Sequence, residues 1–144
     1  MANRSQTIWP RDVSKVAANI ATAGKFFKYT DANALKIDTV TAVGTLTGPS
    51  TTAALPGAAT AGITTLGGAG GKVEINALSA AGTLDVNQAI QTTPVAGAAT
   101  VGGSVLLEAG GAITLATSGT ITTTGAANTT GLGGVVKLTG GIIV

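Results

Sequence analysis

Residues 102–127 read GGSVLLEAGGAITLATSGTITTTGAA. Apolar side chains fall on alternate positions, Val105 and Leu107 between the glycine pairs Gly102-Gly103 and Gly110-Gly111, then Ile113 and Leu115 after the second pair. A spacing of two is the period of a strand with one buried face, because successive side chains of an extended backbone point to opposite sides. Glycine pairs between such runs mark corners. Glu108 is the one charged residue of the stretch, and there is no aromatic. The segment predicts short strands joined by tight corners and offers almost nothing to catalyse with.

The pattern recurs along the chain. ALKIDTVTAVGTLT, residues 34–47, aligns without a gap on KVEINALSAAGTLD, residues 72–85, at an offset of 38 that superposes Gly-Thr-Leu at Gly44 and Gly82. Val73-Glu74-Ile75-Asn76 lies on Val105-Leu106-Leu107-Glu108 at an offset of 32, and Val136-Lys137-Leu138 follows at 31. Four copies begin and the fourth is incomplete. A second alternating segment recurs as Leu84-x-Val86, Ile113-x-Leu115 and Ile142-x-Val144, and a third lies around Ile90 and Ile121. Gly-Ala-Ala-Thr loops start at 57 and 97, with Gly-Ala-Ala-Asn at 125.

One copy cannot stand alone. Residues 71–102 offer Val73, Ile75, Leu84, Val86, Ile90 and Val95 as inward candidates, each contributing about 1.5–3 kcal/mol when buried. Ordering each backbone residue costs about 1–2 kcal/mol, so the copies must stack. The expected fold class is all-β, a parallel β-helix or β-solenoid of about three to four coils with like side chains in internal columns. In that register Lys36, Glu74, Leu106 and Lys137 share one outward position and Asp38, Asn76, Glu108 and Thr139 the next, so that Lys36 over Glu74 is an expected ion pair.

Residues 1–33 read as an N-terminal capping or docking segment and residues 34–144 as the solenoid body. After Trp9-Pro10-Arg11-Asp12, the residues Val13, Val16, Ala17, Ile20 and Ala21 recur at helical spacing and stop before Gly24, which predicts a short amphipathic helix. With Phe26, Phe27 and Tyr29 it is a candidate cover for the open end of the first coil. At the other end Ile142, Ile143 and Val144 form an apolar strand with no polar cap, which invites a further strand, supplied either by the continuation of a longer solenoid or by a second copy stacked end to end. The expected self-assembly residues are therefore Trp9, Val13, Val16, Ile20, Phe26, Phe27, Tyr29, Ile142, Ile143 and Val144.

Composition narrows the function classes. At 144 residues one domain is expected, and 44% hydrophobic against 10% charged residues argues against a disordered chain. Six basic and two acidic residues in positions 1–36 leave that segment at +4 and the remainder at −2, a basic head on a nearly neutral body. Lys72 and Lys137 alone do not make a nucleic-acid stripe, and no apolar run is long enough for a membrane span. The amino-terminal residues are polar where a signal peptide places its apolar centre.

With no histidine or cysteine, six carboxylates remain for acid–base work. Asp38, Glu74, Asp85 and Glu108 separate poorly into pairs, and residues 30–144 contain no stacking aromatic for a sugar beyond the first thirty positions. Asp38, Asn76 and Glu108 are too few for a calcium repeat, so no metal and no cofactor is expected. The glycine pairs read as corners of positive φ rather than phosphate loops. Thr39-x-Thr41, Thr45-x-Thr47 and Thr120-x-Thr122 resemble ice-binding arrays, but Asp85 breaks the face.

The body resembles the repeat region of filamentous-haemagglutinin-like exoproteins, the bacterial adhesins of two-partner secretion. The likeness is carried by DANALKID at 31–38, GGKVEINAL at 70–78 and GGSVLLEAGGAITL at 102–115. It implies a right-handed β-helix serving as a stalk or adhesive surface on the bacterial cell or outside it. The repeats are longer than that family's usual coil. The expectation is a non-enzymatic structural or adhesive module of an extracellular fibre, forming a homo-oligomer or filament through stacked ends, with a host or neighbouring-cell surface receptor as its partner. A glycan- or protein-binding solenoid domain using loops 49–62 and 92–101 is the alternative.

Overall fold

The computed structural model describes residues 13–22, 24–41, 45–47, 52–54, 59–67, 71–94, 102–125 and 133–144, with the backbone alone for 45–47, 52–54, 67 and 94. Every regular element among them is a β-strand. The chain opens with β1 (Lys15–Val16), β2 (Ala18–Ile20) and β3 (Phe27–Asp31), then β4 (Leu35–Ile37). A side excursion follows as β5 (Thr39–Val40), β6 (Thr45–Thr47), β7 (Thr52–Ala54) and β8 (Thr60–Ala61). The chain returns as β9 (Ile63–Gly67) and β10 (Val73–Ala77). Next come β11 (Leu84–Val86), β12 (Ile90–Pro94) and β13 (Val105–Ala109), then β14 (Ala112–Leu115), β15 (Ile121–Thr123) and β16 (Val136–Thr139), and finally β17 (Ile142–Ile143).

Three parallel sheets collect these strands in rotation: β1-β4-β11-β14-β17, β2-β9-β12-β15 and β3-β10-β13-β16. Apart from the excursion, each strand lies in the next sheet of the three, so four circuits stack and β17 begins a fifth. The fold is all-β, with parallel strands in stacked sheets.

Register places like side chains in columns. Phe27, Val73, Val105 and Val136 are successive partners, as are Tyr29, Ile75, Leu107 and Leu138. Leu35, Leu84, Ile113 and Ile143 follow one another in the first sheet, and Ala18, Ile63, Ile90 and Ile121 in the second. Their buried members form one continuous core, and β10 and β11 alternate buried and half-buried along their length. That alternation is the physical reason for the fold: each strand has one apolar face, and only the strands above and below can hydrogen-bond its backbone while the other sheets cover that face.

A fifth column is polar. Ile20, Thr65, Thr92 and Thr123 are successive partners, and Thr65 and Thr92 are fully buried. Each threonine hydroxyl donates to a glycine carbonyl across the next corner: Thr65 Oγ1 to Gly71 at 3.4 Å, Thr92 Oγ1 to Gly103 at 2.6 Å and Thr123 Oγ1 to Gly134 at 2.8 Å. The hydroxyl satisfies a carbonyl that the corner removes from water. Gly103 and Gly134 lie in turn against the circuit before them. A Cβ on Gly103 would stand 1.4 Å from the Gly71 oxygen, and one on Gly134 2.2 Å from the Gly103 oxygen. Only glycine fits that approach.

Four sequence expectations are corrected. The amphipathic helix is absent: Val13–Ile20 contains β1 and β2, both extended, and no helix occurs among the described residues. Pairing of Val16 with Ile37 and of Ala18 with Ile63 supplies backbone hydrogen bonds and burial that outweigh a helical spacing carried by β-branched residues. The first copy is also out of register. Leu35 lies over Leu84 rather than Val73, and Phe27 takes the place over Val73. Consequently Lys36 faces Asp85, and Lys28 is the residue over Glu74. Ile143, not Ile142, lies over Ile113, because the corner after Thr139 is one residue shorter than the corner after Glu108. Positive φ is confined, among the described glycines, to Gly24 and Gly62, so the glycine pairs serve close packing instead.

Candidate functional site

The proposed self-assembly residues fall at the two ends of the stack. Trp9 lies outside the described residues. Val16 is buried against Ile37, and Val13 and Ile20 are half-buried. Phe27 and Tyr29 turn inward over Val73 and Ile75, so two rings cover the first end of the core, while Phe26 remains 58% exposed beside them. Asp31, 1% exposed, completes this end. Its Oδ2 accepts from the Tyr29 hydroxyl at 3.2 Å and from the Val13 N–H at 3.4 Å, and its Oδ1 accepts from the Asn33 N–H at 2.9 Å. The chain just before β1 is thereby tied to the corner that leads into β4. Sequence reasoning did not single out Asp31; its position two residues beyond Tyr29 on one strand face was the available signal.

The opposite end is aliphatic and open. Ile142, Ile143 and Val144 are 64%, 51% and 72% exposed, and Val136 at the end of its column is exposed as well. Ile143 continues the Leu35–Leu84–Ile113 column. The structure thus places the described members at two ends, with Val16 buried and Phe27 and Tyr29 turned inward at one and Ile142, Ile143 and Val144 exposed at the other.

Three of the carboxylates, Glu74, Asp38 and Asp85, are dispersed over the surface and paired with lysines. Glu74 receives Lys28 Nζ at 2.6 Å and Lys72 Nζ at 3.4 Å. Its hydrogen bond from Lys28 holds its pKa below the ordinary carboxylate value, against the opposing effect of desolvation. Asp38 meets Lys15 Nζ at 2.9 Å and accepts from the Thr39 N–H at 2.7 Å, and these two contacts likewise lower its pKa. Asp85 lies 3.6 Å from Lys36. Glu108 faces outward beside Asn76, and Thr30 rather than Asp38 extends that column. Among the described residues no group of three or more acids or other ligating side chains converges on one point.

The excursion is the feature that sequence reasoning missed. β5 pairs with β8 and β6 with β7, both antiparallel, to make an arm that leaves the stack after Asp38 and returns at Gly62. Asp38 and Gly62 fix its root, with the Gly62 N–H donating to the Asp38 carbonyl at 3.3 Å. Of the alternative binding loops, 49–62 overlaps this arm, and most of 92–101 lies outside the described residues. No helix is long and apolar enough to cross a membrane among the described residues. No family model, curated protein or solved structure matches the chain.

Proposed function

We propose that the chain is a non-enzymatic structural or adhesive module of a bacterial extracellular or cell-surface fibre, built as a right-handed β-solenoid. The hand is the one that parallel crossover connections take in general. The resemblance to filamentous-haemagglutinin-like repeats is the basis for the setting, including a surface receptor as partner. The observation that carries the mechanical role is the unbroken stacking of the Phe27, Val73, Val105 and Val136 column, because a stack of layers extends along one axis and transmits load through backbone ladders. Lysine-paired, dispersed carboxylates support a role without catalysis.

Copies join head to tail, the exposed β17, Val136 and Ile143 layer of one taking the first circuit of the next by strand stacking. Negative-stain microscopy of the purified chain tests this reading. Filaments are expected, and Ile143→Lys is expected to shorten or abolish them while the circular dichroism of the strands persists. Discrete particles at every concentration, or filaments indifferent to Ile143→Lys, would overturn it.

A further inference from the structure

Among the described residues the three parallel sheets are unequal: the first holds five strands and the other two hold four each. The extra strand matters where one stack meets another. If β2 of a second copy continues the ladder of β15, and its β3 that of β16, a single place remains at that level in the first sheet. Both β17 of the first copy and β1 of the second claim it.

β1 fits that place less well. Lys15 lies directly on Lys36, a like-charge pair that disfavours the pairing. One residue earlier an exposed serine, Ser14, falls in the Leu35–Leu84–Ile113 column, its carbonyl accepting from the Lys36 N–H at 3.1 Å. The bond from the Val13 N–H to Asp31 is long, 3.4 Å. β17 offers Ile142, Ile143 and Val144 for the places of Val13, Ser14 and Lys15, with Ile143 in the same column as Ser14. Its backbone is in phase as well. Val144 bonds β14 through both its N–H, to Ile113 at 3.0 Å, and its carbonyl, from Leu115 at 2.9 Å. Neighbouring residues of a strand point their polar groups to opposite sides, so Ile143 turns its own to the open edge, as Ser14 turns its carbonyl to Lys36. Loss of β17 would uncover Ile113, now 0% exposed, whereas withdrawal of Val13–Lys15 returns to water residues already half-buried or exposed.

We propose that Val13–Lys15 is a replaceable cover, and that β17 of a second copy takes its place on β4 when two stacks join. The exchange rests on the head-to-tail reading above and specifies how the joint is made. In the joined state Ile143 stands between Ile113 of its own copy and Leu35 of the next, Val144 lies opposite Lys36, and Val16 keeps its place on Ile37. One apolar column then runs through both copies, and the contact of Lys15 with Lys36 is gone. The occupant is a second copy because β17 matches the vacated place in sheet, column and hydrogen-bond phase at once.

Fixing the cover in place tests it. Lys15→Cys with Lys36→Cys puts two thiols on direct partners within one copy, and their disulfide holds β1 on β4. The oxidised chain is expected to need a roughly tenfold higher concentration than the parent to form filaments, and reductant is expected to restore growth. A chain bridged through Asn76→Cys and Glu108→Cys, away from the joint, is expected to assemble as the parent does. In a separate chain, Val144→Cys with Lys36→Cys is expected to yield covalent multimers when filaments are oxidised. Filaments that grow equally well with β1 bridged to β4, or that give no multimers through Val144 and Lys36, overturn the exchange and leave end-to-end stacking in place. A parent chain that forms no filaments overturns the stacking itself and the exchange with it.

Discussion

Between Val73 and Thr139 the molecule repeats in sequence as well as in space; between Lys15 and Gly67 it repeats in space alone. In the later half the first-sheet strands recur after 29 residues, Leu84 to Ile113, and the third-sheet strands after 32 and 31. In the earlier half Lys15 meets Lys36 after 21 residues, and Leu35 meets Leu84 only after 49 because the arm intervenes. Both halves nevertheless keep the same inward columns and close the same corner, with Thr65 on Gly71 and Thr92 on Gly103. Layer geometry is what must be held constant, and corner length is free wherever the added chain can leave the stack.

The largest way to break this comparison is at the close glycine approaches. Gly103→Ala places a Cβ against backbone at 1.4 Å, in the half that repeats, and Gly62→Ala meets backbone at 2.1 Å and strains a positive φ, in the half that does not. Each is expected to cost on the order of 4 kcal/mol or more, enough to leave the chain unfolded or partly folded in circular dichroism at room temperature. Equal damage from both would show that the irregular half is as tightly specified as the regular one.

The buried threonines give a finer measure. Thr92→Val leaves the Gly103 carbonyl without its 2.6 Å donor and is expected to lower stability by about 1–3 kcal/mol in urea denaturation. Thr65→Val removes a bond of 3.4 Å and is expected to cost less than half as much. A reversed order would mean that the corner is held by something other than the hydroxyl.

The smallest effect is electrostatic. Glu74, held by Lys28 and Lys72, and Asp38, held by Lys15, have folded pKa values below their ordinary 4.5 and 3.8. A carboxylate of depressed pKa contributes its stability above the unfolded value, and that contribution disappears as pH falls through the folded value. Thermal melts should therefore shift down between about pH 5 and pH 3. The shift should be modest, since the lysines are about half exposed, and Glu74→Gln should shrink it. An unchanged pH profile in that variant would remove the Lys28 contact from the account.

Much of this was legible in the sequence. Alternation at Val73–Ala77 and Val105–Ala109, the offsets of 32 and 31, and the match of Ile90 to Ile121 all correspond to observed partners. The earlier half misled for physical reasons. Phe27 and Tyr29 occupy columns filled elsewhere by Val, Ile and Leu, so aromatic rings did not resemble the aliphatic pairs they continue. Residues 34–47 offered a closer string match to 72–85, yet Thr39–Thr47 belongs in part to the arm, whose β-branched alternation is indistinguishable by period from that of the stack. Val13–Ala21 carried a helical spacing that pairing with β4 and β9 overrode. Of the candidate site, the exposed Ile142–Val144 was readable as an uncapped strand, whereas Asp31 and the Thr–Gly contacts depend on residues that only the corners bring together.

The central claim is the register of the layers, and the absence of native cysteine allows it to be tested directly by disulfide trapping. Neighbouring positions on adjacent parallel strands lie about 4.8 Å apart, within disulfide reach. Lys36→Cys with Asp85→Cys, and Asn76→Cys with Glu108→Cys, are expected to close rapidly and in high yield under mild oxidation. Lys36→Cys with Glu74→Cys is expected to remain reduced. Efficient closure of that last pair with failure of the first would place the early strands in a different register and contradict the arrangement described.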